Sequence, residues 1–260
     1  FLFPNYINFI LALLLCGLLL IYLSKMRHLI NYKTKKFLFI FVASLILLIV
    51  QIFLSMNIFF FTGWDVNVIQ STINSRINIG QPLDSDMWVY SYYSRFPNNI
   101  NLTFTLFILD RIFSFIGFNG YLSWIFINNL SINIAGVFLY LSIVKLTNNH
   151  RYANISWLVY AFLIALSPWG SIPYSDTYSV SIPIFCFYLY ITKNNNRPNF
   201  IRWFFISLLC FFGYTIKPTV IIDFIAIIFV EILNYLFMNG KNKFFNILLI
   251  CMIILSSIIP

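Results

Sequence analysis

The chain has 260 residues, of which 61% are hydrophobic and only 9% charged, with a net charge of +9. About a quarter of the residues in a soluble domain are charged, so this composition excludes one and indicates a polytopic membrane protein. Nor does the positive charge read as a nucleic-acid surface: Lys and Arg sit in short clusters between apolar runs, the pattern of cytoplasmic loops. The chain begins at Phe1 and reaches Pro260 at the end of an apolar run. The expectation is a piece of a longer protein, truncated at its C-terminus, in which the first apolar run need not be a signal peptide.

In chain order, the apolar runs are 6–23, 37–61, 121–144, 153–169, 177–192, 200–216, 219–238 and 244–260. Each approaches the ~20 residues that a ~30 Å hydrocarbon core demands. A further apolar stretch, 101–117, carries Asp110-Arg111 and decides the topology. If it stays out of the bilayer, Lys25, Arg27, Lys33, Lys35, Lys36, Lys145, Arg151, Lys193, Arg197, Arg202, Lys241 and Lys243 share one side. Those are twelve of the 16 Lys and Arg, and Arg76, Arg95, Arg111 and Lys217 lie opposite. If it spans, six oppose nine and Arg111 sits in lipid. The positive-inside rule selects the first arrangement. The expected fold is all-α, a polytopic transmembrane bundle of about eight spanning helices. Residues 1–36 then form an additional N-terminal helix with a basic cytoplasmic loop, and 62–120 is a large external region.

That external region has its own pattern. Val66, Ile69, Ile73 and Ile77 recur at three- and four-residue spacing, with Asn67, Gln70, Ser71, Asn74 and Asn78 on the other face. This predicts an amphipathic helix lying on the membrane surface, ended by Gly80-Gln81-Pro82. A turn-rich stretch from Tyr92 to Asn99 precedes a second, apolar surface helix over 101–116, and Phe118-Asn119-Gly120 leads into the next span. Two juxtamembrane helices between spans are therefore expected.

Five of the seven acidic residues fall on this external side: Asp65, Asp84, Asp86, Asp110 and Asp176. Asp65, beside Trp64 at headgroup depth, is a costly place for a carboxylate and hence a site candidate. It is also a favoured N-cap for the helix starting near Val66. Asp176 follows a turn at Trp169-Gly170-Ser171-Ile172-Pro173 and has the same two readings, cap or functional acid. Lys217 stands at the outer end of 200–216, either snorkelling to the interface or meeting an anion there. Arg95 offers a guanidinium fork suited to phosphate oxygens. Asp84-Ser85-Asp86 reads as a solvated turn or as ligands for a divalent cation such as Mg or Mn. Asp223 lies near the outer end of its run, and Glu231 faces the bundle or its inner boundary. Cys16, Cys186, Cys210 and Cys251 lie in apolar runs as small core residues. His28 and His150 belong to basic loops.

With these motifs in order, the chain resembles the integral-membrane glycosyltransferases of the GT-C superfamily. The likeness is to bacterial relatives of the protein O-mannosyltransferases and the aminoarabinose and arabinose transferases. It is carried by Gly63-Trp64-Asp65, Ser94-Arg95-Phe96-Pro97-Asn98-Asn99, Pro173-Tyr174-Ser175-Asp176 and Gly213-Tyr214-Thr215-Ile216-Lys217-Pro218-Thr219, over roughly residues 37–240. The Ser-Arg-Phe-Pro-Asn-Asn run is similar to that of Gram-positive members. Two departures stand out. Phe96-Pro97 replaces the His-Pro-Pro usual in the mannosyltransferases, and no large periplasmic domain falls within these residues.

The resemblance implies a multi-pass cell-membrane enzyme of envelope assembly, with 37–260 as its catalytic module. It would transfer sugar from a polyprenyl-phosphate carrier to an acceptor hydroxyl on the extracytoplasmic face, with inversion. Such a reaction needs a base and cations for the departing phosphate. It would make Asp65 the base, Lys217 and Arg95 the phosphate ligands, and Asp176 an acceptor- or metal-orienting acid, with Trp64, Asn98, Asp84 and Asp86 as secondary candidates. The partners implied are the lipid-linked donor, an acceptor glycan, lipid or protein, and membrane lipid. Two other classes remain open: a lipid or sugar-lipid transporter, and a non-catalytic scaffold of envelope assembly. Transporters usually show repeated halves and broken helices at the midplane, and no internal repeat is found here.

Overall fold

A computed structural model describes residues 34–58, 65–74, 80, 87–115, 117, 120–172, 174–192 and 200–237. All regular structure among them is helical: α1 (Thr34–Ile58), α2 (Asp65–Thr72), α3 (Met87–Arg95), α4 (Asn98–Ser114), α5 (Tyr121–Thr147), α6 (His150–Tyr160), α7 (Ser175–Ser179), α8 (Ser181–Ile191), α9 (Phe200–Ile216) and α10 (Ile221–Phe237). A π-turn at Ala161–Ala165 extends α6, and short 3-10 turns occupy Pro168–Ser171 and Pro218–Val220. Helices α7 and α8 form one kinked rod. Pro183 has no N–H for the Ser179 carbonyl, so the ladder breaks at Val180. The runs 6–23 and 244–260 lie outside the described residues, as do the basic stretches 24–33, 193–199 and 239–243.

Side-chain bonds fix how the long helices run. Asn129 Nδ2 donates to Ser55 Oγ (2.9 Å), while Asn133 Nδ2 donates to the Ser44 carbonyl (2.9 Å) and to Gln51 Oε1 (3.1 Å), so α1 and α5 are antiparallel. Tyr160 donates to the Ile132 carbonyl and Tyr140 bonds His150 Nδ1, which makes α6 antiparallel to α5. Tyr178 reaches the Trp124 carbonyl and Phe138 stacks on Phe185, which makes α7–α8 parallel to it. The pairs Cys186–Cys210 and Tyr190–Trp203 turn α9 back, and Tyr190 with Glu231 runs α10 alongside α8. One end of the bundle therefore gathers the C-termini of α1, α6 and α9 with the N-termini of α5, α7 and α10. Amide bonds between helices, such as those of Asn133, contribute ~0.6–2 kcal/mol each where no water competes. Gln51 adds one to the Ala165 carbonyl in the π-turn (2.9 Å).

Helix α4 touches this same end twice. At its start Asn98 Nδ2 donates to the Ile216 carbonyl of α9 (3.3 Å). Near its finish Asp110 Oδ1 accepts from Ser123 Oγ (2.8 Å), and Phe113 packs on Phe126 in α5. A 17-residue helix is ~25 Å long, so α4 lies across the bundle end instead of running down it. Beneath it Ile69, Ile73, Leu102, Leu106, Trp124, Tyr178 and Ile216 form a common apolar cluster.

Two details of the surface region differ from expectation. Three helices, not two, lie between α1 and α5 among the described residues. The stretch taken as a turn from Tyr92 onward is helical through Arg95, because Val89 and Tyr93, one turn apart, bury one face of α3. The turn itself is confined to Phe96-Pro97. Helix α2 ends at Thr72 with Ile73 fully buried after it, and Ile77 lies outside the described residues.

Charge separates along the bundle. Asp65, Asp110 and Asp176 stand at the α4 end with Arg95, Arg111 and Lys217, whereas Lys145, Arg151 and Arg202 stand at the other. Leu38–Ile58 and Leu122–Thr147 are long and apolar enough to cross a membrane.

Candidate functional site

The site is built where α2, α3, α4 and the Lys217 corner meet. Asp65 is the first residue of α2 and not the residue before it, so it is a first-turn acid at a helix N-terminus, where negative charge is favoured. The Tyr92 hydroxyl lies within electrostatic reach of its carboxylate. Tyr92 projects from α3, its ring set edge-on to Tyr93 at 5.1 Å between centroids and against Phe96 at 5.3 Å. Burial, and then the nearby Asp65 carboxylate, push the Tyr92 phenol well above its ordinary value of 10.0. At neutral pH it is a donor.

Tyr92 is held from behind. Asn99, 4% exposed at the start of α4, donates from Nδ2 to the Tyr92 oxygen at 2.6 Å. Asn99 Oδ1 in turn accepts from Asn98 Nδ2 at 2.9 Å, the nitrogen that also reaches the Ile216 carbonyl. Thr103 donates to the Asn99 carbonyl (2.6 Å) and so accepts from Tyr93 (2.8 Å), which locks α3 onto α4. Asparagine-rich chemistry after Pro97 thus becomes a row of amides pointing from the α9 corner toward Asp65.

Lys217 follows Ile216 directly. Pro218 disfavours helix at the residue before it, and Lys217 is extended (φ −140°, ψ 109°), its N–H still bonded to the Gly213 carbonyl at 2.7 Å. The ammonium reaches Asp176 Oδ2 at 3.0 Å, with side-chain exposures of 28% and 62%. An ion pair this exposed contributes at most about 1 kcal/mol, so it sets position more than stability. Asp176 is not the cap of its helix either. Tyr174 occupies the cap position of α7, and Asp176 sits one residue inside the first turn. Burial and the charges of Asp65 and then Asp176 raise the Tyr174 phenol, which places Tyr174 within electrostatic reach of both acids.

Gly213 allows this corner to close. A methyl group there would meet Val220 Cγ1 at 2.7 Å and Ile182 Cγ2 at 3.0 Å. Helices α8 and α9 and the turn after Lys217 come together only because no side chain intervenes.

Among the candidates from sequence, Lys217 pairs with Asp176, Asn98 bonds the carbonyl next to Lys217, and Asp65 lies at the same bundle end, in the field felt by Tyr174. Arg95, at the end of α3, is exposed, and among the described residues no bond joins it to those four. Trp64, Asp84 and Asp86 lie outside the described residues. Asp110 steadies α4 through Ser123 and is not joined to the site. Asp223 is half-buried in the first turn of α10, and no hydrogen bond joins it to Lys217 among the described residues. Glu231 faces the bundle, 2% exposed, bonded by Tyr190 at 2.7 Å. Cys186 and Cys210 are buried core thiols. Among the described residues no three His, Cys, Asp or Glu side chains converge on one point, and Asp84 and Asp86, the candidate cation ligands, lie outside them. Tyr92, Asn99 and Tyr174 were not singled out in the sequence. The available signal was Tyr92 and Asn99 on either side of Phe96-Pro97.

A helical bundle with many exposed apolar side chains, and with Asp65, Asp176 and Lys217 at one end, has the form of a membrane protein. A family model described as "Conserved hypothetical integral membrane protein" matches residues 5–260, and the chain belongs to that family. No curated protein and no solved structure matches it.

Proposed function

We propose that this protein is a multi-pass glycosyltransferase of the GT-C type. In this reading it moves a sugar from a polyprenyl-phosphate carrier to an acceptor hydroxyl on the extracytoplasmic face of the cell membrane. The observation that supports the reading is that Asp65 and the Lys217–Asp176 ion pair, 152 positions apart in the chain from Asp65 to Lys217, lie at the same bundle end, with Tyr174 in the field of both acids. A fixed carboxylate and a cation at headgroup depth are what transfer from a lipid phosphate requires.

The acceptor oxygen attacks the anomeric carbon from the face opposite the phosphate, giving inversion. As the new C–O bond forms, Asp65 takes the hydroxyl proton. The bond from the anomeric carbon to the phosphate oxygen breaks, and its electron pair stays on the carrier phosphate. Lys217 stabilises that phosphate, with Arg95 as a second cation on the same side. Asp176 orients Lys217 and, through its free oxygen, the acceptor. The acceptor is a glycan, lipid or protein hydroxyl.

The test supplies purified protein with a radiolabelled polyprenyl-phosphate sugar and acceptor membranes, alongside Asp65→Asn. Transfer by wild type that is lost in Asp65→Asn is the expected result. No transfer with any donor, together with movement of the lipid across liposomes, would replace this reading with a flippase.

A further inference from the structure

The Lys217–Asp176 pair has one fixed partner and one detachable partner. Lys217 is held through its backbone: its N–H bonds the Gly213 carbonyl at 2.7 Å, and the neighbouring Ile216 carbonyl accepts from Asn98. Its side chain is 28% exposed, whereas that of Asp176 is 62% exposed and gives a single oxygen, Oδ2, to the ammonium at 3.0 Å. Asp176 stands on α7, only five residues long, and among the described residues no other side chain bonds its carboxylate. A pair this exposed is weak, so another anion can take the place of its carboxylate. We propose that Asp176 is the resident counter-ion of Lys217, displaced when the phosphate group of a lipid takes its place on the ammonium. The lipid phosphate as ligand rests on the glycosyltransferase reading, and the exchange itself rests on the ion pair.

A bare ammonium at headgroup depth meets the phosphate of every lipid around it. Paired with Asp176, it offers phosphate alone little gain, because one carboxylate contact is lost for each phosphate contact made. A lipid then takes the site only when further contacts, such as those of its sugar, add to those of its phosphate. Asp176 thus sets specificity: it weakens binding of every phosphate equally and leaves the choice to the rest of the ligand. Displacement also frees the carboxylate to face the acceptor. The alternative role is a structural tie between α7 and the residue that follows α9. In that role the carboxylate stays on Lys217 whatever is bound, and removing it loosens the corner and weakens phosphate binding.

The probe is hexyl phosphate, added to the full chain in nanodiscs of neutral phosphatidylcholine. Protection of Lys217 from acetylation is followed by mass spectrometry, and the half-protecting concentration is compared among variants. Removing a competing carboxylate of this exposure lowers that concentration about three- to fivefold in Asp176→Asn. Asp176→Ala, which has no amide to form new bonds, does the same and guards against a defect peculiar to one variant. Asp65→Asn removes a charge from the same bundle end without touching the ion pair, and shifts it by less than about twofold. A second arm measures sugar transfer with phosphatidylglycerol added to the nanodiscs, which inhibits Asp176→Asn and leaves wild type unchanged. An equal or higher half-protecting concentration in both Asp176 variants overturns the exchange, as does an Asp65→Asn shift as large as theirs. Failure of hexyl phosphate to protect Lys217 in any variant also overturns it, and equal inhibition of both proteins by phosphatidylglycerol overturns the role in specificity. The predicted shift in a protein that transfers no sugar from any donor supports the exchange and sinks the glycosyltransferase reading, so the two fail separately.

Discussion

Replacing Gly213 by Ala places a methyl carbon 2.7 Å from Val220 Cγ1, 3.0 Å from Ile182 Cγ2 and 3.3 Å from Ile182 Cδ1. Carbon atoms rest at about 3.5–4.0 Å, so Val220 has to retreat by about 0.8 Å and Ile182 by about 0.5 Å. Neither has room: Val220 is 4% exposed and Ile182 6%, both inside the cluster that joins α8, α9 and α10. Overpacking of this kind costs about 1–3 kcal/mol, against a gain of about 0.5–1 kcal/mol from removing a glycine in a helix. The net destabilisation is about 1–2 kcal/mol, a fall of roughly 2–8 °C in Tm. The assay is thermal unfolding of the purified protein in detergent, read by circular dichroism, for Gly213→Ala, Val220→Ala and the double variant. Because Val220→Ala removes the atom that clashes, the double variant should show a coupling of about 0.5–1 kcal/mol. Gly213→Ala also displaces the carbonyl that anchors the Lys217 N–H, so donor KM rises. An increase in Tm with no coupling would refute the close approach and, with it, the geometry assigned to the Lys217 corner.

Other consequences follow from the bundle. Asn133→Leu loses bonds to the Ser44 carbonyl and Gln51 and should destabilise by ~0.6–2 kcal/mol in the same unfolding assay. Cys186 and Cys210, with sulfurs 3.7 Å apart, should cross-link under a membrane-permeant oxidant and yield one linked peptide pair by mass spectrometry. Failure to cross-link would place α8 and α9 in another register. The Tyr92 phenol is raised in the folded chain above its ordinary 10.0, so the folded state keeps a proton that the unfolded state releases. That contribution is intact below about pH 10 and is lost as pH rises further. Tyr92→Phe should therefore flatten the alkaline decline in Tm, and identical profiles would contradict the assignment.

Charged residues made the outline readable. With so few acids and bases, Asp65, Asp176 and Lys217 stand out individually, and the positive-inside rule puts them at one end before any contact is known. The count of basic residues likewise favoured leaving 101–117 out of the bilayer, and α4 does lie across the bundle end. What the sequence did not disclose depends on geometry made by common residues. Tyr92 is one of 16 tyrosines, and nothing local marks its hydroxyl as the one that lies near Asp65. The tyrosine- and serine-rich α3 has weak helix propensity, and it forms because Val89 and Tyr93 pack inward. Asp65 and Asp176 read as caps because Asp commonly is one. Their helices begin a residue or two earlier, which moves both carboxylates inside the first turn and frees Asp176 for Lys217. Pairing of Lys217 with Asp176 required the kinked α7–α8 rod and the Gly213 contact together, and neither is visible from spacing.

The central claim is that Asp65 and Lys217 serve one reaction from its two ends. Steady-state transfer from a polyprenyl-phosphate sugar, with donor concentration varied for wild type, Asp65→Asn and Lys217→Ala, tests it most directly. Asp65→Asn should lose about 100-fold or more in kcat with KM little changed, and Lys217→Ala should show a raised donor KM. Full kcat in Asp65→Asn, or an unchanged donor KM in Lys217→Ala, would contradict it.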